Sequence, residues 1–258
     1  MQLKRNMLLE ISKDRVSGIE FSKNIILNTV KNIACVNTYY KDTPNIKDFQ
    51  MDISNKNLYV LVEGETVYIK MVTIPTVKRH LINDLIKNEL RYYYKDIDHI
   101  AFTYKLIKKD KLNMEIIVFC LKGNNLDILK NCIDNKSNIK KVNLIQFCFK
   151  NYYCNKINEK NYILVFYYKS NLYFLICHYN EIVANTIISV SDSLLFRFSC
   201  VMNEFLEQYM DTAKLCKKIY YANIEDLFIE EFRYLTLPYV ILENIKWEDL
   251  VKYIIVKG

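Results

Sequence analysis

Glycine is almost missing from this chain: there are four in 258 residues, and one of them, Gly258, is the last. The other three, Gly18, Gly64 and Gly123, lie far apart. A loop that wraps a phosphate needs clustered glycines, because the backbone must approach the anion with no Cβ in the way. Neither a GxGxxG run nor a P-loop can be written with these positions, so every glycine-built phosphate cradle is excluded. Histidine is nearly as scarce, at His80, His99 and His178. None has a serine, cysteine or carboxylate at a spacing that makes a nucleophile–base pair. Cys177 and His178 are neighbours, but adjacent residues of a strand point to opposite faces and cannot act together. Glu225-Asp226 and Glu230-Glu231 read as charge on helix surfaces. The sequence therefore predicts no catalytic residue.

Long apolar runs are lacking too. The most apolar window, Tyr162 to Tyr179, is broken by Lys169, Ser170, Asn171 and His178, so no membrane span is expected. Met7, Leu8 and Leu9 are followed at once by Glu10, Lys13, Asp14 and Arg15, so no signal-peptide core forms. The 8 cysteines include no CxxC pair and no Cys/His cluster with zinc spacing, so no metal site is expected. Most lie inside apolar runs, as Cys120 does, and read as buried free thiols of a reducing compartment.

Apolar residues make up 51% of the chain, enough for a substantial core. The net charge is +7, but the lysines are scattered and their densest runs are short: Lys108-Lys109, Lys140-Lys141 and Lys217-Lys218. No basic stripe forms, so a nucleic-acid partner is not expected. The heavy use of Lys, Asn, Ile and Tyr is what an AT-rich genome encodes. The tyrosine run Tyr92-Tyr93-Tyr94 ends a predicted helix and reads as core packing, with a partner surface as the alternative.

Strands are predicted at Met7 to Ile11, Val16 to Phe21 and Ile25 to Val36, the first two joined by the hairpin-length link Ser12-Lys13-Asp14-Arg15. Residues 43–57 read as a connection or short helix. Leu58 to Glu63 and Thr66 to Ile74 are expected to form a hairpin about Glu63-Gly64-Glu65. Pro75 closes that strand. A helix from Val77 to Tyr93 follows, with Val77, Leu81, Leu85, Ile86 and Leu90 on its apolar face. Strands at Ile100 to Ile107 and Met114 to Leu121, a short helix to Ile133, and a strand at Lys141 to Gln146 complete a compact α+β segment. Next come strands at Tyr162 to Tyr168, Leu172 to Cys177 and Ile182 to Ser189, then a long helix from Ser191 to Tyr209. A strand at Lys218 to Tyr221, a short helix from Ile224 to Phe232, a strand at Tyr239 to Leu242 and a last helix within Asn244 to Val256, carrying Trp247, end the chain.

This order resembles the PilM family of type IV pilus proteins, in a shortened and degenerate form. The resemblance rests on Val72-Thr73-Ile74-Pro75, then a helix containing Glu89, then Tyr104 in a strand. It also rests on the helix over Asn203 to Thr212, the strand Lys218-Ile219-Tyr220-Tyr221, and the link Asn244 to Leu250. It implies an α/β (α+β) chain with an actin-like, ribonuclease H-like fold and an insert subdomain of the PilM and FtsA type. The implied division is 1–74 for the start of the first subdomain, 75–141 for the insert, and 142–258 for the rest of the first subdomain plus the second. Too few residues separate Ile188 from Ser191 for the lid subdomain, which is expected to be reduced or absent.

The resemblance also locates the nucleotide loops, and here the chain departs from the family. In the first loop, Leu9 to Val16, Glu10 holds the aspartate position and Ser12 the glycine position. In the second, Leu164 to Ser170, Phe166 replaces the aspartate and Tyr168 the glycine. The adenosine-side glycine pair falls at Ala222-Asn223. The expectation is a pseudo-ATPase with no cofactor; the rival is an active actin-like ATPase with atypical loops. The implied partner is the cytoplasmic N-terminal segment of a single-span membrane protein similar to PilN, with pilus motor ATPases as further candidates. The implied groove lies between the domain bearing Leu58 to Ile74 and the insert. No contact residue or oligomeric state is assigned. The implied location is cytoplasmic and peripheral, at the inner face of the membrane. The similar cytoplasmic region of GspL, from type II secretion, is a sister possibility.

Overall fold

A computed structural model describes residues 6–12, 16–26, 29–41, 56–64, 67–94, 97, 100–122, 138–190, 197–224 and 237–256. In chain order the elements are β1 (Asn6–Ile11), β2 (Val16–Ile26), β3 (Thr29–Lys41), β4 (Asn57–Val62), β5 (Val67–Pro75), α1 (Arg79–Tyr93), β6 (Ile100–Lys109), β7 (Asn113–Lys122) and β8 (Asn138–Leu144). Then come α2 (Ile145–Tyr153), β9 (Asn161–Tyr168), β10 (Asn171–His178), β11 (Glu181–Ser189), α3 (Phe198–Gln208), α4 (Met210–Ala213), β12 (Ile219–Ala222), β13 (Tyr239–Ile241) and α5 (Trp247–Val256). The short helices expected at 124–133 and 225–232 lie outside the described residues, as do 191–196 at the start of the expected long helix.

The contacts divide the chain into two units. The first comprises residues 1–66, 124–158 and 243–258. Its sheet runs β3-β2-β1-β4-β8. β1 and β2 form the expected hairpin, Ile11 opposite Val16, while β4 runs parallel to both β1 and β8. That position explains the burial of β4: Leu58, Tyr59, Val60, Leu61 and Val62 are all buried, because a central strand between parallel neighbours is covered on both faces. α2 and α5 pack on this unit. Tyr153 of α2 is fully buried and donates its hydroxyl to the Glu243 carbonyl at 2.8 Å. Tyr152 meets Tyr253 edge to face at 6.1 Å. Leu250, Ile254 and Ile255 form the buried stripe of α5.

The second unit comprises residues 67–123 and 159–242. Its eight strands run β13-β12-β9-β10-β11-β5-β7-β6. β9, β10 and β11 form an antiparallel meander. The turn between β10 and β11 places Tyr179 at φ 49° and Asn180 at φ 62°, the paired positive values of a type I′ hairpin turn. β5 pairs with β7 along its whole length but with β11 only at Lys70 opposite Ala184. The Asn185 side chain supplements that short contact. Its Oδ1 accepts from the Ile69 N–H at 2.6 Å, and its Nδ2 donates to the Val67 carbonyl at 3.0 Å. α1 lies on β5 and β7, burying Ile82, Ile86 and Leu90 against Ile74, Met114, Ile116, Val118 and Cys120.

The structure corrects four expectations. Leu58 to Glu63 and Thr66 to Ile74 are not a hairpin: β4 pairs with β1 and β8, whereas β5 pairs with β7 and β11. Gly64, at φ +90°, marks the point where the chain leaves one sheet for the other. The strand expected at Lys141 to Gln146 starts earlier, at Asn138, and stops at Leu144, so Ile145 and Gln146 are helical. The third strand expected at Ile25 to Val36 is divided, with Ile25 still in β2 and β3 running from Thr29 to Lys41. On α1, Leu81 is exposed and Ile82 takes its place in the core.

Candidate functional site

In the first unit, the carboxyl ends of β1, β4 and β8 come side by side. Ligand sites of α/β sheets form at that end of parallel strands. Glu10, at the position of the expected aspartate, is buried in β1, and Ser17 Oγ of β2 donates to its Oε2 at 3.1 Å. Its carboxylate is thus held within the hairpin it belongs to. Ser12 is half-buried, and residues 13–15 lie outside the described set. Beside them, the Glu63 N–H donates to the Ile11 carbonyl at 2.9 Å, which brings a second buried carboxylate to the same edge. Gly64 follows, and a Cβ built there would meet nothing within 4 Å.

α2 opens at this edge. Its second residue, Gln146, is fully buried, and neither atom of its carboxamide has a hydrogen-bond partner among the described residues. Burying such a group unpaired costs about 1–3 kcal/mol. Sequence reasoning missed Gln146 because it assigned the residue to a strand. Ile145, Cys148 and Phe149, all buried at helical spacing, carry the signal that would have revealed the helix.

The second loop lies in the other unit, at the turn of β9 and β10. Phe166 is fully buried and stacks face to face on its cross-strand partner Tyr173, with centroids 4.6 Å apart and planes 1° from parallel. No carboxylate stands there to place a metal. Tyr168, at the expected glycine position, is buried, and the positive φ of the turn falls on Lys169 at 53°. The Lys169 ammonium lies 5.4 Å from the centroid of the Tyr168 ring. The third position, Ala222-Asn223, ends β12: Ala222 is fully buried and Asn223 has φ 53°. Asparagine tolerates that left-handed backbone but adds the Cβ that glycine lacks.

Among the described residues no three His, Cys, Asp or Glu side chains converge as a metal site. His178 Nε2 lies 2.9 Å from the Thr212 carbonyl, and its neighbour Cys177 is fully buried. Burial pushes the thiols of Cys120, Cys148 and Cys216 up to about 12, which leaves them protonated and unreactive at neutral pH. Of the tyrosine run, Tyr92 is exposed and Tyr94 half-buried. No described helix is long and apolar enough to cross a membrane. His99 and residues 123–137 of the expected insert lie outside the described residues.

No family model and no curated protein sequence matches the chain. Solved structures do. A Bacteroides thetaiotaomicron protein with an actin-like ATPase fold and unknown function aligns over 98% of this chain and 96% of its own, at 11% identity and TM-score 0.57. The PilM–PilN type IV pilus biogenesis complex aligns over 95% of this chain and 89% of the matched one, at 10% identity and TM-score 0.62. The cytoplasmic domain of EpsL, an inner membrane component of the Vibrio cholerae type II secretion system, aligns over 99% and 96%, at 7% identity and TM-score 0.58. Two sheets with this order of strands, matched nearly end to end by these structures, establish that the chain has the actin-like fold.

Proposed function

We propose that the chain is a non-catalytic actin-like scaffold of a membrane-bound assembly platform, of the type IV pilus or type II secretion kind. In this reading it holds the cytoplasmic segment of a membrane partner similar to PilN, at the inner face of the membrane, with motor ATPases of the same machine as further partners. The observation that carries the non-catalytic part is the second loop. Phe166 is locked in the core by Tyr173, and Tyr168 is buried at the position that the resemblance gives to a glycine of the phosphate loop. A Glu10 already bound to Ser17 is consistent with a carboxyl edge not shaped by a nucleotide. The assembly part is supported by two fold relatives, the PilM–PilN complex and the EpsL cytoplasmic domain, each matched over most of its length.

The test of the assembly part is recovery from the native membrane. After mild detergent extraction, the chain is expected to co-purify with a single-span protein whose short cytoplasmic segment binds it. That segment, made as a peptide, should compete for the complex. Recovery of the chain only as a free species, with the machinery present, would sink the reading.

A further inference from the structure

A cavity of about 330 Å³ lies in the second unit, where the last turn of α1 meets β5 and β7. Alternation along β5 turns Ile74 and Val72 toward α1, and β7 presents Met114, Ile116, Val118 and Cys120 to the same side. Near its amino end α1 fills that surface with Ile82 and Ile86. At its carboxyl end the helix stops at Tyr93, and the chain turns away at Tyr94, whose N–H donates to the Leu90 carbonyl at 2.8 Å. The hollow left there has an apolar floor of Ile86, Leu90, Val118 and Cys120.

The rim differs from the floor. Tyr68 and Tyr94 meet with ring centroids 5.2 Å apart at 54°, and Tyr209, at the end of α3, supplies a third ring. Burial, with Cys120, Tyr68 and Tyr209 close by, raises the Tyr94 hydroxyl far above its usual range, so this group stays neutral. Glu89 of α1 also lines the cavity and is half-buried. Among the described residues no hydrogen bond or ion pair engages its carboxylate. Lys70, the one cation among the described lining residues, is itself engaged in an interaction. At this rim the Glu89 carboxylate stands beside three tyrosine rings above an apolar floor.

A carboxylate beside tyrosine rings attracts an ammonium group by charge, a ring face that the ammonium meets adds its quadrupole, and an apolar floor takes the carbon body attached to it. We propose that this cavity is a binding site for a small organic ammonium compound, its cationic head on Glu89 and the tyrosine rings and its apolar body on Leu90 and Val118. A packing void would be apolar throughout and closed; this cavity opens beside a carboxylate. The proposal uses only the geometry of the second unit and does not depend on the scaffold reading.

The probes are phenethylammonium and two compounds of similar shape without the positive charge, 2-phenylethanol and 3-phenylpropanoate, titrated by calorimetry. Phenethylammonium is expected to bind at least about tenfold more tightly than either. Glu89→Gln should weaken it about tenfold while leaving the alcohol unaffected, and thermal unfolding of that variant should match the parent because the side chain is only half-buried. Val118→Phe, which fills the floor, should abolish binding of all three. Failure of phenethylammonium to bind at millimolar concentration, equal affinity for the carboxylate, or an amine affinity unchanged by Glu89→Gln would each overturn the proposal.

Discussion

Two buried side chains give direct tests of how the interior is held. Phe166 has no exposed surface and its ring lies flat on Tyr173, so Phe166→Ala should remove a large buried contact and leave a hole. The expected cost is about 3–5 kcal/mol in urea unfolding. A loss below about 1 kcal/mol would mean that the loop is free to rearrange, and the argument against a phosphate there would fail with it. Cys148 gives a prediction in pH. Burial holds its thiol up from 9.0 to about 12, and Cys120 and Cys216 behave alike. The buried hydroxyls of Tyr94, Tyr153 and Tyr221 are raised in the same direction. Below pH 9.0 these thiols are protonated in both states and the stability is fully present. As pH rises from 9.0 toward about 12 the unfolded chain releases its protons first, so stability falls across that window. Urea midpoints on either side of pH 9 should show the decline, and Cys148→Ala should reduce its slope.

At the scale of elements, the join between β11 and β5 is the thinnest in the larger sheet, with one paired position and the Asn185 carboxamide. Asn185→Ala strips partners from a buried N–H and a buried carbonyl, so it should destabilise by about 2–4 kcal/mol. Hydrogen exchange at the Ile69 amide should accelerate more than at Ile163 in β9. Equal acceleration at both would mean that the sheet opens as a whole and that Asn185 is no local clasp. The same region shows why some elements were legible in the sequence and others were not. α1 could be read because Leu85, Ile86 and Leu90 repeat at helical spacing and the helix packs on one side only. The β9-β10-β11 meander could be read because each turn is short and polar. The β4–β5 pair was misread because turn chemistry at Glu63-Gly64-Glu65 is local, whereas the choice of neighbours is not. The unbroken apolar run Leu58 to Val62, all of it buried in the structure, was the clue that β4 belongs between parallel strands. α2 was missed because no polar cap announces it: Leu144 stands at its N-cap and offers no side-chain hydrogen bond. Gln146 was missed with it. The substitutions at Phe166 and Tyr168 needed only the sequence, since residue type alone decides whether a Cβ and a ring stand in that loop.

For the whole molecule the decisive question is whether an actin-like fold with these loops still takes a nucleotide. In the proposed reading, each of the three loops departs from the residues that a nucleotide-binding actin-like loop would carry there. Glu10 is held by Ser17, Phe166 by Tyr173, and Asn223 keeps a left-handed backbone without glycine's bare Cα. Each change alone could be accommodated; in that reading, together they put a phenylalanine where a carboxylate would place the metal and a Cβ where bare backbone would approach the phosphates. Thermal unfolding with and without millimolar Mg-ATP reads their combined effect on the intact chain. A ligand present at about 100 times its dissociation constant stabilises the native state by roughly 2.7 kcal/mol. For a chain of this size that corresponds to a rise of about 5–10 °C in Tm. The expected result is no rise, and no phosphate release above a protein-free control. A shift of several degrees would reverse the reading: the loops would then bind nucleotide by an unorthodox geometry, and the chain would stand as an actin-like ATPase. In that case Gln146, buried and unpaired at the carboxyl edge of the parallel strands, would be the first residue to replace, because a bound nucleotide is what would give its carboxamide a partner.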